Sequence, residues 1–280
     1  MVIKQKMKFQ SNIVQYQQKI DSKLKKYLLK SSSHSSDKLN QAIMYSVLNG
    51  GKRLRPLLVY GVGNLFHSNQ RALDNTAMAV EFIHTFSLIH DDLPSMDNDS
   101  YRRGKLSCHK KFDESTAILA GDALQSLGFE VLSENNHVEQ IKLLARAIGK
   151  EGMALGQVQD MIYQEKLNSK NFSISKKKLY EMHHLKTGKL ISASIVLGAM
   201  CHTASPSQTI INKLRMFGEY FGLGFQLLDD YLDKENSVKI ETVINVFDKA
   251  TAILKWFENN EYPTQLLMNI IEYLLCQEKN

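Results

Sequence analysis

Cysteine and proline are scarce in this sequence, and each scarcity excludes something. The three cysteines, Cys108, Cys201 and Cys276, stand far apart. An odd, sparse set offers neither a disulfide framework nor a zinc-ligand spacing, and it fits free thiols in a reducing cytoplasm. Four prolines and fifteen glycines leave long stretches without a helix breaker. The longest apolar stretch, around Leu190 to Cys201, is too short and too polar to span a bilayer. The first ten residues are basic but lack the apolar core of a signal peptide. A soluble, cytoplasmic protein with no membrane span is therefore expected. No basic stripe interleaved with aromatics is present, which argues against a nucleic-acid partner. The formal charge of +6, from 35 basic and 29 acidic side chains, suits anionic small molecules equally well. Alternating apolar and polar residues, the mark of a half-buried strand, are absent throughout.

What is present is helical periodicity. Apolar spacing predicts helices over residues 11 to 30, Lys38 to Leu48, Leu57 to Phe66, Leu73 to Leu93, Ser115 to Ser133, Val138 to Lys150, Gly152 to Lys166, Lys176 to Met200 and Gln208 to Lys234. Two shorter ones, Glu241 to Asn259 and Pro263 to Gln277, close the chain. Ser31 to Ser36 reads as a loop, Gly50-Gly51 stops a helix, and Pro56 suits the first turn of the next. With no repeat and no linker-like boundary, the expectation is a single all-α domain over residues 1–280. Its site should lie in the bundle core, between facing helices.

Three clusters carry chemistry. The first is Asp91-Asp92-Leu93-Pro94-Ser95-Met96-Asp97, at the end of a long apolar helix. Pro94 should bulge that helix and bring Asp97 round towards Asp91. Carboxylates this close repel unless a cation lies between them, and Mg²⁺ commonly bridges one or two carboxylates to substrate phosphates. The second is Asp229-Asp230-Tyr231-Leu232-Asp233, in which Asp229 and Asp233 share a helix face. Facing each other across a bundle, the two clusters would form a polynuclear metal site for a diphosphate. The third is Gly50-Gly51-Lys52-Arg53-Leu54-Arg55-Pro56, whose glycines let backbone approach an anion while Lys52 and Arg55 supply charge-assisted bonds. Arg102 and Arg103 follow the first cluster, as salt bridges or as clamps for two diphosphates. Lys186 and Thr187 lie in an apolar helix and need partners. Gln157 and Asp160, three residues apart, would line the same cavity.

In this order, with Glu81 to Pro94, Ala117 to Leu124, Lys186-Thr187-Gly188 and Phe225 to Asp230, the motifs resemble the bacterial farnesyl and geranylgeranyl diphosphate synthase family over residues 40 to 235. The resemblance implies a homodimeric, all-α isoprenoid-synthase fold with three Mg²⁺ ions. It implies that Asp91, Asp97 and Asp229 hold metals on the allylic diphosphate, with Asp92 and Asp233 in support. Arg102 and Lys186 would contact that diphosphate; Gly51, Lys52, Arg55, His84 and Arg103 would grip isopentenyl diphosphate; Thr187 and Gln226 would face the developing cation. Phe86 and Ser87, about one turn before Asp91, would set chain length, and a phenyl ring there implies a farnesyl (C15) product.

One departure stands out. After Asp233 the family continues through a Gly-Lys…Gly…Asp…Lys…Thr-x-Pro stretch, whereas this chain has no glycine after Gly224 and is shortened by some twenty residues. Lys234 or Lys239 would have to replace the family's lysine. The competing expectations are a catalytically impaired diphosphate-binding homologue or partner subunit, and a geranylgeranyl diphosphate synthase. A terpene cyclase would not need Lys52, Arg55 and His84.

Overall fold

A computed structural model of the chain describes residues 2–31, 37–167, 174–204, 206–232 and 238–276. Its elements are α1 (Val2–Ser31), α2 (Lys38–Val47), α3 (Leu54–Leu65), α4 (Gln70–Asp91), a hairpin of β1 (Tyr101–Arg102) and β2 (Lys105–Leu106), α5 (Cys108–Lys111), α6 (Glu114–Ser133), α7 (Val138–Ile148), α8 (Met153–Leu167), α9 (Lys176–His183), a π-helical turn (His184–Gly188), α10 (Lys189–Ala199), α11 (Gln208–Leu232), α12 (Ile240–Asn259) and α13 (Gln265–Cys276). The all-α expectation holds. Among the described residues, no helix is long and apolar enough to cross a membrane. Of the loop expected over Ser31 to Ser36, Ser31 is the last residue of α1 and residues 32–36 lie outside the described residues, as do Asp233 and Lys234.

Packing divides the chain into two compact units. The unit of Val14–Leu57 and Gln70–His137 is built around α4, which packs along α6. Two glycines allow the close approach: a Cβ on Gly121 would fall 2.1 Å from His90 Nε2, and one on Gly128 would fall 2.9 Å from Ile83 Cγ1. Asp37 and Asp113 cap α2 and α6 by accepting from the backbone amides of Asn40 and Thr116. Lys38 reaches across to Asp113 and ties the two helix starts together. One turn apart on α1, Lys19 and Lys23 both grip Asp74 of α4, at 3.0 and 2.7 Å.

The other unit comprises Met1–Ile13, Leu58–Asn69 and Val138–Asn280, with α10, α11 and α12 at its centre. Phe221 of α11 meets Phe247 of α12 edge-on at 5.8 Å. A Cβ on Gly198 of α10 would fall 2.6 Å from the Val59 carbonyl of α3, so that contact is made backbone to backbone.

Three local features differ from the expectation. The helix predicted over Lys176 to Met200 contains the π-helical turn, which shifts register by one residue and re-aims the side chains it carries. The hairpin at Tyr101–Leu106 was not anticipated. Its two-residue loop, Arg103-Gly104, has φ of 54° and 75°, the positive pair that a primed hairpin turn demands. Pro94 does not bulge α4; the helix ends three residues before it, as the steric restriction ahead of proline favours.

Candidate active site

The first acidic motif is a closed turn. After Asp91 the chain reverses, and the Asp97 amide donates to the Asp91 carbonyl at 3.0 Å. Met96 and Asn98 amides both donate to the Leu93 carbonyl, at 2.9 and 3.1 Å. Asp97 is thus carried back to Asp91, as expected, although by a turn rather than a bulge. Asp91 and Asp97 are half-buried, while Asp92 is 2% exposed. The Asp92 carboxylate accepts from Arg102 Nε at 2.9 Å, and Arg102 also reaches Asp99 at 2.8 Å. Burial pushes the Asp92 carboxyl up, and the Arg102 hydrogen bonds oppose it. The salt-bridge reading of Arg102 therefore describes this state of the protein.

Arg103 is placed differently. Its guanidinium lies over Gly51 and donates to the Gly50 carbonyl. A Cβ on Gly51 would fall 2.5 Å from Arg103 Cζ, and Gly50 and Gly51 hold φ of 74° and 116°. Glycine is required here both for conformation and for the space the guanidinium takes. Arg103 is half-buried, and among the described residues it closes no ion pair with a carboxylate. The hairpin that carries both arginines is tied to the rest of the unit by Tyr45 Oη on the Leu106 carbonyl at 2.7 Å and Asn49 Nδ2 on the Arg102 carbonyl at 3.2 Å.

The middle residue of the basic motif, Arg53, is structural. It is 2% exposed and donates to Glu81 at 2.6 Å, Asp21 at 2.8 Å and the Val47 carbonyl at 2.7 Å. Those three anchors hold it at a φ of 51°, in the left-handed region that a non-glycine residue rarely adopts. Glu81, fully buried, was missed as a functional support, although an acid inside an apolar helix run is itself a signal of a buried partner. Removing one member of a buried ion pair leaves the other uncompensated, at a cost of about 3–5 kcal/mol. Glu81→Ala is therefore expected to lower the urea midpoint sharply, whereas a midpoint within error of the parent would show that the pair does not hold the loop.

His84, half-buried on α4, sits among arginines. Burial and then Arg55, Arg103, Arg53 and Arg102 hold its pKa well below the ordinary histidine value. The imidazole is accordingly neutral at pH 7 and ready to donate to an anion. A histidine whose folded pKa is depressed contributes stability that is complete above its unfolded value of about 6.5 and is lost as pH falls towards the folded value. His84→Gln should therefore lose less stability on acidification below pH 6.5 than the parent does. Urea midpoints of the two proteins against pH decide this, and parallel curves would contradict it. Arg55 is buried and Lys52 half-buried. Ser87 Oγ donates to the His84 carbonyl at 2.8 Å, and half-buried Phe86 packs edge-on against His90 at 5.3 Å.

In the other unit, the π-helical turn carries Lys186 and Thr187, both half-buried. It is wedged between α8 and α11: a Cβ on Gly156 would fall 2.3 Å from the Lys186 amide, and one on Gly222 would sit 3.4 Å from Gly188 Cα. The Lys186 ammonium reaches Asp160 at 2.5 Å, which supplies the partner the sequence required. On α11 the Gln226 amide donates to buried Asp230 at 2.9 Å, while Asp229 is half-buried.

The donors available to a metal are all carboxylates, which suits a hard divalent cation. Among the described residues, no three ligand-type side chains gather into a protein-only cage. Mg²⁺ needs no such cage when substrate phosphates complete its shell. Asp97 Oδ1 is buried and finds no hydrogen-bond partner among the described residues, and a cation would satisfy it.

Comparison with known proteins gives a consistent picture. Residues 36–243 match the family model described as polyprenyl synthetase. The chain is 42% identical over 233 residues to the farnesyl diphosphate synthase of Haemophilus influenzae, covering 81% of this chain and 77% of that one. It is 40% identical over 235 residues to the corresponding protein of Buchnera aphidicola from Acyrthosiphon pisum, covering 81% and 80%. Among solved structures, a geranyltransferase from Legionella pneumophila superposes with a TM-score of 0.87 at 34% identity, covering 99% of this chain and all of that one.

Proposed function

The chain belongs to the polyprenyl synthetase family, and from that premise we infer that it is a prenyltransferase that condenses isopentenyl diphosphate with dimethylallyl and geranyl diphosphates and stops mainly at farnesyl diphosphate. The comparisons favour neither an impaired homologue nor a geranylgeranyl synthase. The observation that carries the substrate class is Arg103: a half-buried guanidinium lying on a glycine pair, paired with a carbonyl and, among the described residues, with no carboxylate, beside a neutral histidine. That arrangement suits the oxygens of a diphosphate.

In the proposed mechanism Gly51, Lys52, Arg55, His84 and Arg103 hold the isopentenyl diphosphate head. Arg102 and Lys186 turn from Asp92 and Asp160 to the allylic diphosphate and stabilise its charge as the C–O bond breaks. Asp91, Asp97 and Asp229, supported by Asp92 and Asp233, would hold Mg²⁺, three ions by family resemblance. Bound there, the ions supply Lewis-acid stabilisation of the leaving group. Thr187 and Gln226 present oxygen dipoles to the developing allylic cation, and apolar walls exclude water from it. The alkene of isopentenyl diphosphate attacks the cation and forms the new C–C bond. A proton then leaves the neighbouring carbon, its electron pair closes the new double bond, and the departed diphosphate accepts the proton. No protein nucleophile is required. Lys239, just ahead of α12, is the described candidate for the family's downstream lysine. The working assembly is a homodimer in the cytoplasm.

The division of labour between the cations is testable. Arg55→Ala and Lys52→Ala should each raise the KM for isopentenyl diphosphate by about tenfold or more, the loss of one charge-assisted bond, with a smaller change for the allylic substrate. Equal effects on both substrates, or the reverse order, would mean that the two pockets have been assigned the wrong way round.

A further inference from the structure

The reading above leaves unused a second group of cations, in the unit that holds α7, α10 and α11. These helices enclose a groove of about 270 Å³. Its floor is apolar, made by the buried side chains of Ala147 on α7 and Ala193 and Val196 on α10. Three cations from three different helices rim it: Arg146 from α7, Lys189 from α10 and Arg215 from α11. Two acids, Glu151 and Glu219, stand on the same rim. Among the described residues, neither acid closes an ion pair within 4 Å on any of the three cations. Solvated charges on a helical surface commonly pair with neighbours one turn away. Here the cations line instead a shared concavity with an apolar floor.

His184, first residue of the π-helical turn, completes the lining. Its Nδ1 would lie 3.1 Å from a Cβ on Gly188, so the exposed ring rests against the turn where Gly188 leaves it room. Removal from water and then Lys189 lower its pKa, with Glu219 opposing. The rim therefore carries one more cation than acid, and a titratable group in the lining reports on it.

We infer that this groove is a second ligand site, separate from the diphosphate-binding residues described above, and that it takes a compound with a diphosphate head. Guanidinium forks match phosphate oxygens in geometry as well as charge, and two of the three rim cations are arginines. The volume of about 270 Å³ lies just under the roughly 300–1,000 Å³ of small-molecule pockets, which suits a compact head group with a short hydrocarbon body. The apolar floor gives a hydrocarbon body attached to the head a place to lie. Two sources share this chemistry, inorganic diphosphate and a prenyl diphosphate. Both are products of the reaction proposed above, so occupancy of the groove would register product level. The site itself rests on the groove's residues and not on that reaction.

The test uses His184 as a reporter in the groove lining; because it stands two residues before Lys186 in the same turn, the loss of the shift in variants of the groove's own rim is what assigns the binding to the groove. The histidine resonances of the full-length protein are followed by NMR against pH, with the His184 signal assigned by its loss in His184→Gln. Titrations use inorganic diphosphate and, separately, geranyl diphosphate, with EDTA present and isopentenyl diphosphate omitted so that no turnover occurs. An anion bound in the groove should raise the His184 midpoint. The rise should vanish in the double variant Arg146→Ala, Arg215→Ala, which exchanges exposed side chains only and should keep the parent's turnover. Half-saturation by geranyl diphosphate at a concentration about tenfold lower than by inorganic diphosphate would assign the floor to a prenyl chain. Equal potency would assign the site to the free anion. A His184 midpoint that neither ligand moves, or a rise that persists in the double variant, overturns the inference whatever the enzyme's activity.

Discussion

Asp91→Ala and Asp229→Ala are each expected to lower turnover by at least about two to three orders of magnitude while leaving the helical content and the thermal midpoint close to the parent's. The size follows from what each carboxylate is proposed to do. An electrostatic contact to a charge that develops only in the transition state is worth about 10²–10³ in rate when it is removed, and a metal lost with its ligand adds to that. Retention of fold follows from the structure. The turn that closes the first motif is held by the Asp91 carbonyl, not its carboxylate, so alanine keeps it. Both aspartates are half-buried, at helix positions where alanine is well tolerated.

Asp92 provides the contrast. Its carboxylate is buried against Arg102, so Asp92→Ala should cost stability as well as rate, because it removes the buried one of the two carboxylates that hold Arg102 and leaves only the more exposed Asp99. Steady-state rates in saturating Mg²⁺, with circular dichroism on the same samples, separate the two cases. Near-parental turnover in both Asp91→Ala and Asp229→Ala would remove the metal assignment.

Phe86→Ala is expected to change the product itself, from C15 to mainly C20. In the proposal the growing chain runs from the metals back along α4, and the ring of Phe86, just over one turn before Asp91, is the floor it meets. Packed edge-on against His90, the ring is held in place rather than free to swing aside. Ser87 offers no comparable bulk, and its hydroxyl is engaged by the His84 carbonyl. With Phe86 removed, the next obstacle is one turn deeper, about 6 Å along the helix axis. There Phe82 is fully buried and packs at 5.8 Å against Tyr27 of α1. The variant should therefore stop at C20 instead of running on, and adding Phe82→Ala should release it to longer chains if the double variant still folds. Truncating a half-buried ring should cost less than the 3–5 kcal/mol typical of a fully buried one. Chromatography of the dephosphorylated products reads the result. A folded Phe86→Ala enzyme that still stops at C15 would remove Phe86 as the floor.

How much of this was legible in the sequence depends on the range of the interaction concerned. The helices were readable because their apolar period is local, and the ends at Val47, Ser133 and Asn259 fall within a residue of expectation. Asp97's return to Asp91 was expected from a bulge at Pro94; the return is there, but the helix ends at Asp91 and a turn makes it. The hairpin was not, since Arg-Gly is a weak turn signal and its positive φ pair is stabilised by contacts from Tyr45 and Asn49, more than fifty residues away. The π-helical turn was hidden for a similar reason: it is set by the close approach of Gly156 and Gly222 from two other helices. Among site residues, the sequence marked the carboxylates and cations but not their partners in the free protein. That Arg53 is committed to Glu81 while Arg103, among the described residues, pairs with a carbonyl instead of a carboxylate is a matter of three-dimensional neighbours, which spacing along the chain does not encode.

The central claim is tested most directly by incubating the purified full-length protein with isopentenyl diphosphate, dimethylallyl diphosphate and Mg²⁺, and identifying the dephosphorylated products by chromatography. The predicted result is a C15 alcohol as the main product, with C10 as a transient and no product when EDTA replaces Mg²⁺. Absence of any condensed product from a folded protein, or the same products in EDTA, would contradict the account.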